Sequence, residues 1–229
     1  SYAKVGGGTA IEHLIYTGTT SEVSLTGNAW NNSIWGAAGK DTLEGKAGTD
    51  TLIGGFGNDY YVLESGDDDV IVDVEGTDTA LVSGHFSLAT LDGGSSVENL
   101  QLTSATGSSL IGNSLNNSII GNSGNDTLEG LNTADTLGDT LEGGLGNDVY
   151  IVDSTTDLIK DTGGIDTVRT TVSFDLSNTI VGGGTAIEHL TYTGSNGATL
   201  TGNFSANSIM GGSGVDLMVG GKGNDTYYV

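Results

Sequence analysis

The chain has 229 residues, 29 of them Asp or Glu against 6 Lys or Arg, giving a formal charge of −23, with 40 glycines and neither proline nor cysteine. This balance excludes nucleic acid as a default partner, because phosphate binding needs clustered Lys and Arg, and it disfavours docking on an anionic membrane. So much like charge opposes compaction unless a counter-cation binds, leaving a disordered acidic chain or a fold whose carboxylates are metal ligands.

Disorder fits poorly, since disordered acidic segments lack β-branched and aromatic residues, whereas Val, Ile, Leu, Thr and Tyr recur here on a regular beat. Without cysteine no disulfide staples the chain, which suits either side of a membrane. No apolar run approaches the ~18–20 residues of a spanning helix. The first residues, Ser1-Tyr2-Ala3-Lys4-Val5, do not form a charged-then-apolar signal pattern.

In chain order, residues 1–17 read as part of a linker: Val5–Gly18 (VGGGTAIEHLIYTG) reappears as Val181–Gly194 (VGGGTAIEHLTYTG), and more loosely as Ser96–Thr103 (SVENLQLT). Residues 18–62 form a first block in which Gly18, Gly27, Gly36, Gly45 and Gly54 are nine apart. Seven positions after each comes Leu25, Ile34, Leu43, Leu52 or Tyr61. A helix would need apolar spacing near 3.6, and glycine would weaken it. Nine residues with one buried apolar position predict a short strand and a tight turn. Residues 63–102 read as a linker and 103–151 as a second block, where Gly112, Gly121 and Gly130 keep the step with Leu110, Ile119, Leu128 and Leu137 in register. A second linker, 152–192, leads to a third block, 193–229, with Gly202, Gly211 and Gly220 beside Ile209, Met218 and Tyr227. The blocks make three related repeats spaced about 85–90 residues apart, and both ends read as cut from a longer array.

The best coils are GGFGNDYYV from Gly54, GGLGNDVYI from Gly143, GGSGVDLMV from Gly211 and GGKGNDTYY from Gly220. They resemble the GGxGxDxUx nonapeptides of RTX (repeats-in-toxin) proteins, which form calcium-binding parallel β-rolls. Stretches such as YIVDSTTDLIKDTGGIDTV from Tyr150 resemble the linkers between coil blocks of large RTX surface proteins. The resemblance implies an all-β fold: a parallel β-roll (β-solenoid) of nonapeptide coils in three blocks joined by β-rich linkers.

The chemistry agrees with the resemblance. Glycines at the first, second and fourth positions are expected to take positive φ and turn carbonyls inward, while the sixth-position Asp adds a hard anionic oxygen. Calcium wants about 6–8 oxygen ligands at roughly 2.3–2.6 Å, more than one turn supplies. In the RTX pattern coils two apart share the ion, which would pair Asp41 with Asp59, Asn32 with Asp50 and Asn207 with Asp225. The implied ligand set is Asp41, Asp50, Asp59, Asp126, Asp148, Asp216 and Asp225, with Asn32, Asn117 and Asn207 as weaker members and the turn glycines Gly39, Gly48, Gly57, Gly124, Gly146, Gly214 and Gly223. The coil from Gly130 is about four residues too long by this register, so either Asp135 or Asp139 takes its ligand place. Because Asp replaces Asn along each block, the strongest sites are expected toward the block ends. Val23, Ser108 and Ala198, one step earlier, are not expected to bind metal.

Asp67, Asp69, Asp73, Asp78, Asp153, Asp157, Asp161 and Asp166 lie outside the coils and read as solvated or edge-blunting charge, with accessory calcium ligation as the alternative. Tyr60, Tyr61, Tyr150, Tyr227 and Tyr228 read as closing the coil blocks under the following linker; Trp30 and Trp35 read as cap or exposed positions. His13 and His189 sit in the repeated IEHL stretch, where the middle repeat has Asn99, so a structural role is expected. No HExxH, GxSxG or GxxxxGK motif is present, and no enzyme activity is expected.

Coils of this kind bury little, while ordering costs roughly 1–2 kcal/mol of backbone entropy per residue. Calcium binding free energy therefore becomes folding free energy. Extracellular modules bind calcium at about 10⁻⁴–10⁻³ M, so the chain is expected to stay unfolded in a cytosol and fold outside; the resemblance implies export through a type I channel. The function expected is that of a calcium-folded structural or adhesive segment of a secreted bacterial surface protein of S-layer or adhesin type. Several Ca2+ ions would be bound, and neighbouring copies are a further possible partner. The alternative is the secretion and folding module of an exoenzyme or toxin.

Overall fold

A computed structural model describes residues 12–19, 22–64, 68–131, 138–178 and 187–229. The nine-residue step works because a strand of three to six residues followed by a turn reverses the chain, so two coils make one full turn of a roll. The chain falls into two compact units, Ser1–Thr103 and Ser104–Val229.

In the first unit the strands are β1 (His13–Ile15), β2 (Ser24–Thr26), β3 (Ser33–Ala38), β4 (Thr42–Glu44), β5 (Thr51–Phe56), β6 (Tyr60–Leu63), β7 (Val70–Val72), β8 (Thr79–Val82), β9 (Phe86–Ser87) and β10 (Asn99–Leu102). Odd strands pair in the order β1-β3-β5-β7 and even strands in the order β2-β4-β6-β8-β10, all in parallel. Alternation along each strand sends one residue of a three-residue strand inward and two of a four-residue strand such as β6, where Tyr61 and Leu63 are both buried. Leu25, Leu43, Tyr61, Ala80 and Leu100 are register partners in one sheet, and Ile34, Leu52 and Ile71 in the other. All eight are buried.

The second unit adds β11 (Ser109–Ile111), β12 (Ser118–Ile120), β13 (Thr127–Glu129), β14 (Thr140–Glu142), β15 (Val149–Val152), β16 (Leu158–Lys160), β17 (Asp166–Thr170), β18 (Phe174–Asp175), β19 (Ile187–Tyr192), β20 (Thr199–Thr201), β21 (Ser208–Met210), β22 (Leu217–Val219) and β23 (Thr226–Tyr228). Its sheets run β12-β14-β16, β11-β13-β15-β17-β19-β21-β23 and β18-β20-β22. Leu110, Leu128, Tyr150, Val168, Leu190 and Ile209 form its longest buried row. Two short 3-10 turns, Gly94–Ser96 and Leu176–Asn178, complete the described elements.

The stretches read as linkers continue the same parallel ladders. β7 and β8 pair with β5 and β6, and β16 and β17 with β14 and β15. What changes is loop length. Equivalent positions in successive turns are 18, 19, 20 or 22 residues apart, so the rungs stay aligned while the count drifts.

The outward rows differ in chemistry. Ile15, Trp35, Ile53 and Val72 are register partners on the outer face of the first unit's odd sheet, and Ile15, Trp35 and Val72 are exposed. The outer row of β12, β14 and β16 instead contains Glu142 and Lys160, whose charged groups stand 4.0 Å apart.

With only one or two apolar side chains per rung, each carries a large share of the core. Leu43→Ala, measured by denaturation in saturating calcium, is expected to cost about 2–5 kcal/mol. Replacing its outward neighbour Glu44 with Ala should cost less than ~0.5 kcal/mol.

Candidate metal centre

The sixth-position aspartates stack into columns along the turns, each tied to its neighbour through the backbone. In the first unit the Asp41 N–H donates to Asp59 Oδ1 at 2.8 Å and the Asp59 N–H to Asp78 Oδ1 at 2.7 Å. The Asp78 N–H ends the column on Glu98 Oε2 at 2.8 Å. At the start, Val23 donates its N–H to Asp41 Oδ1, so Val23 joins the column as a donor only. On the opposite edge Asn32 donates to Asp50 Oδ1 at 2.6 Å and Asp50 to Asp69 Oδ1 at 2.8 Å.

The second unit repeats this plan. Ser108, Asp126 and Asp148 donate in turn to Oδ1 of Asp126, Asp148 and Asp166 at 2.7–2.8 Å, and Asp166 donates to Glu188 Oε2. Asn117 donates to Asp139 Oδ1 and Asp139 to Asp157 Oδ1. Asp139 thus occupies the rung for which the sequence offered two candidates; Asp135 lies outside the described residues. Farther along, Ala198 donates to Asp216 Oδ1 and Asn207 to Asp225 Oδ1, both at 2.9 Å. The structure therefore brings together the pairs Asp41–Asp59, Asn32–Asp50 and Asn207–Asp225.

Each column aspartate spends Oδ1 on a backbone N–H. For Asp41, Asp59, Asp126, Asp148 and Asp166, Oδ2 is buried and accepts no hydrogen bond. An unsatisfied buried polar group costs about 1–3 kcal/mol, and a charged one more. Six Lys and Arg cannot neutralise 29 acids. The donor set is hard anionic oxygen, the preference of calcium, and the orphaned oxygens fit a bound cation. Asn32, Asn117 and Asn207 differ, because the single side-chain oxygen of each accepts the backbone N–H of Asn28, Asn113 or Asn203.

The turn glycines divide by cause. Gly39, Gly48, Gly57, Gly146 and Gly223, at the fourth position, have φ between 102° and 127°, where glycine alone is unstrained. Gly124 and Gly214 lie outside that region; added Cβ atoms there would crowd the backbones of Gly107 and Asn196. First-position glycines correct the expectation of positive φ: Gly54 does not need it. A Cβ on Gly54 would collide with Asp59 Oδ2 and Tyr61 Oη, so this glycine makes room for the carboxylate.

Several acids outside the nonapeptides are not solvated charge. Asp69, Asp78, Asp157, Asp161 and Asp166 are all buried, which overturns the edge-blunting reading for them. Carboxylate oxygens of Asp59, Asp73 and Asp78 lie within 4.8 Å of one another, as do those of Asp148, Asp161 and Asp166. For Asp78 and Asp166 a signal was present in the sequence: Asp-Thr followed by an apolar or aromatic residue recurs at Asp41, Asp50, Asp78, Asp126, Asp135, Asp139, Asp166 and Asp225. The buried Tyr61 and Tyr150 close the coils beside these groups.

Burial pushes the Asp59 and Asp148 carboxyls up to about 6, with the neighbouring charges of Asp41 and Asp73, or Asp126 and Asp161, adding to it. Asp41, Asp78, Asp126 and Asp166 are raised by the same cause. Carboxyls raised above the value of 3.8 stabilise the metal-free fold below about pH 4 and lose that contribution as pH rises through about 6 for Asp59 and Asp148, about 7 for Asp166 and about 8 for Asp78. In calcium-free buffer the β-signal by circular dichroism should therefore fall as pH is raised across that interval; a rise with pH would contradict it.

The family model of the RTX calcium-binding nonapeptide repeat (four copies) matches residues 24–52, 35–70, 110–137, 138–159 and 192–227, more than half of the chain. Comparison with curated proteins gives no match. With its parallel roll and stacked Gly-Asp turns, the chain belongs to the RTX calcium-binding nonapeptide-repeat family.

Proposed function

We propose that this chain is a structural or adhesive repeat segment of a secreted bacterial RTX surface protein, of S-layer or adhesin type, that folds when it binds several calcium ions outside the cell. The observation that carries this reading is the set of buried, unpartnered Oδ2 atoms in the stacked turns. Removing them from water has no return until a cation arrives, and cation binding then becomes folding free energy.

In this reading the ligands are Asp41, Asp50, Asp59, Asp126, Asp139, Asp148, Asp216 and Asp225, together with backbone carbonyls of the glycine turns. Asn32, Asn117 and Asn207 carry weaker sites, since their only side-chain oxygen already accepts an N–H. Blocks 18–62, 103–151 and 193–229 act as calcium-loaded rolls, and the acids between them extend the columns. The RTX resemblance adds type I export of the unfolded chain to this reading, and a chain that folds only on binding calcium suits it.

The adhesive part of the proposal is supported by the uncharged outer row of Ile15, Trp35, Ile53 and Val72. An exposed apolar row with an aromatic residue is suited to contact. On a chain of charge −23 it offers a second acidic surface somewhere to approach.

Calorimetric titration of the full chain should show several calcium ions taken up together with a negative heat-capacity change from folding. Uptake of one ion or none would contradict the proposal. Bacterial envelopes stripped with EGTA should retain the chain in calcium and release it when EGTA returns, with retention weakened by Trp35→Ala; equal retention of both chains in EGTA would count against the adhesive role.

A further inference from the structure

The nonapeptide pattern contains neither Asp73 nor Asp161, yet the fold brings each against two column aspartates. In the second unit every carboxylate of the group has one oxygen engaged. Asp148 Oδ1 accepts the Asp126 N–H at 2.8 Å and Asp166 Oδ1 the Asp148 N–H at 2.7 Å. Asp161 Oδ1 accepts the Tyr150 hydroxyl at 2.7 Å. The Oδ2 atoms of all three are buried with no hydrogen-bond partner, and the three side chains are no more than 2 % exposed. Tyr150 is fixed in turn by the Gly143 N–H, which donates to its Oη at 3.1 Å.

The first unit reproduces the arrangement with a loop one residue longer. Asp59 and Asp78 take the column places, and Asp73 stands where Asp161 does, with its Oδ1 accepting the Gly55 N–H at 3.3 Å. Asp59 Oδ2 is again buried without a partner. Tyr61 lies beside Asp59 at Gly54, as Tyr150 lies beside Asp148 at Gly143. Two repeats of the chain thus share one constellation: a column pair, a third carboxylate from the following loop and a buried tyrosine.

We propose that each constellation is an interior calcium site of a second kind, with Asp73 in one and Asp161 in the other supplying a ligand that the nonapeptide turns lack. Oxygens on opposite sides of a calcium ion are roughly 5 Å apart, and the carboxylate oxygens of each group lie within 4.8 Å, so one ion can touch all three. Three such carboxylates without a cation, all buried in the second unit and two of three in the first, would repel one another in a medium that screens them poorly. An ion there ties the loop after each Gly-Asn-Asp coil to the column and so fixes the first turn beyond the regular nonapeptides. Tyr150 positions rather than ligates, since its hydroxyl donates to Asp161 Oδ1; Tyr61 Oη is buried with no hydrogen-bond partner.

The inference rests on the calcium-folded reading of the turns, and its test separates the two. Calcium bound per chain is counted by equilibrium dialysis for the wild type, Asp161→Asn, Asp73→Asn/Asp161→Asn and the exposed control Asp68→Asn, with folding checked by circular dichroism. The single variant should bind one ion fewer and the double variant two fewer, while Asp68→Asn matches the wild type. An unchanged count in folded Asp161→Asn overturns the interior site but leaves the turn sites intact; a wild type that binds no calcium overturns the turn reading itself. Should the variants fail to fold, the wild type crystallised in calcium decides. An anomalous peak about 2.3–2.6 Å from oxygens of Asp148, Asp161 and Asp166 is expected, and peaks confined to the turns would overturn the proposal.

Discussion

The structure depends on one constraint: carboxylates are buried in register, turn over turn, without enough cations to neutralise them. A hydrophobic row alone would not require this. Each column aspartate contributes one oxygen to backbone hydrogen bonding, which sets the spacing of the coils, and Asp41, Asp59, Asp126, Asp148 and Asp166 keep another out of water without a partner. The first oxygen is structural whether or not metal is present. The second makes the fold conditional, because an unpaired buried charge costs more than a marginal domain can spare.

The other features follow from making room for that carboxylate. The first glycine of a coil is bare because Asp Oδ2 occupies the space of its Cβ, as at Gly54. The fourth glycine turns the chain with φ near 126°, as at Gly57. One or two apolar residues per rung fill the narrow interior, and where a coil block gives way to a longer loop the first of them is a tyrosine, Tyr61 or Tyr150. Column, turn and core thus repeat together, and this accounts for how few residue types the coils use.

Much of this was legible in the sequence. The nine-residue step gave the strand positions and the inward row from Leu25 to Tyr61, and the RTX resemblance implied the aspartate pairs of the turns. What it missed traces to counting residues where the molecule aligns rungs. Between Asp59 and Asp78 the step is 19, which pushes Asp78 out of phase although the ladder keeps it in the column of Asp59; Asp166 stands 18 residues after Asp148, in phase, but its turn, Asp161-Thr162-Gly163-Gly164-Ile165-Asp166, lacks the two leading glycines by which a coil is recognised. Asp73 and Asp161 were harder to recognise, because they reach the interior from loops that have no place in the nonapeptide. The reason for the first glycine was hidden too, since steric room and positive φ select the same residue.

The central claim is that cation binding at these carboxylates is what makes the chain fold. Far-UV circular dichroism of the full chain at about pH 7, first in calcium, then in excess EGTA and again in calcium, tests it most directly. The account predicts β-structure in calcium, a disordered spectrum in EGTA and full recovery on readdition. β-structure that persists undiminished in EGTA would contradict it.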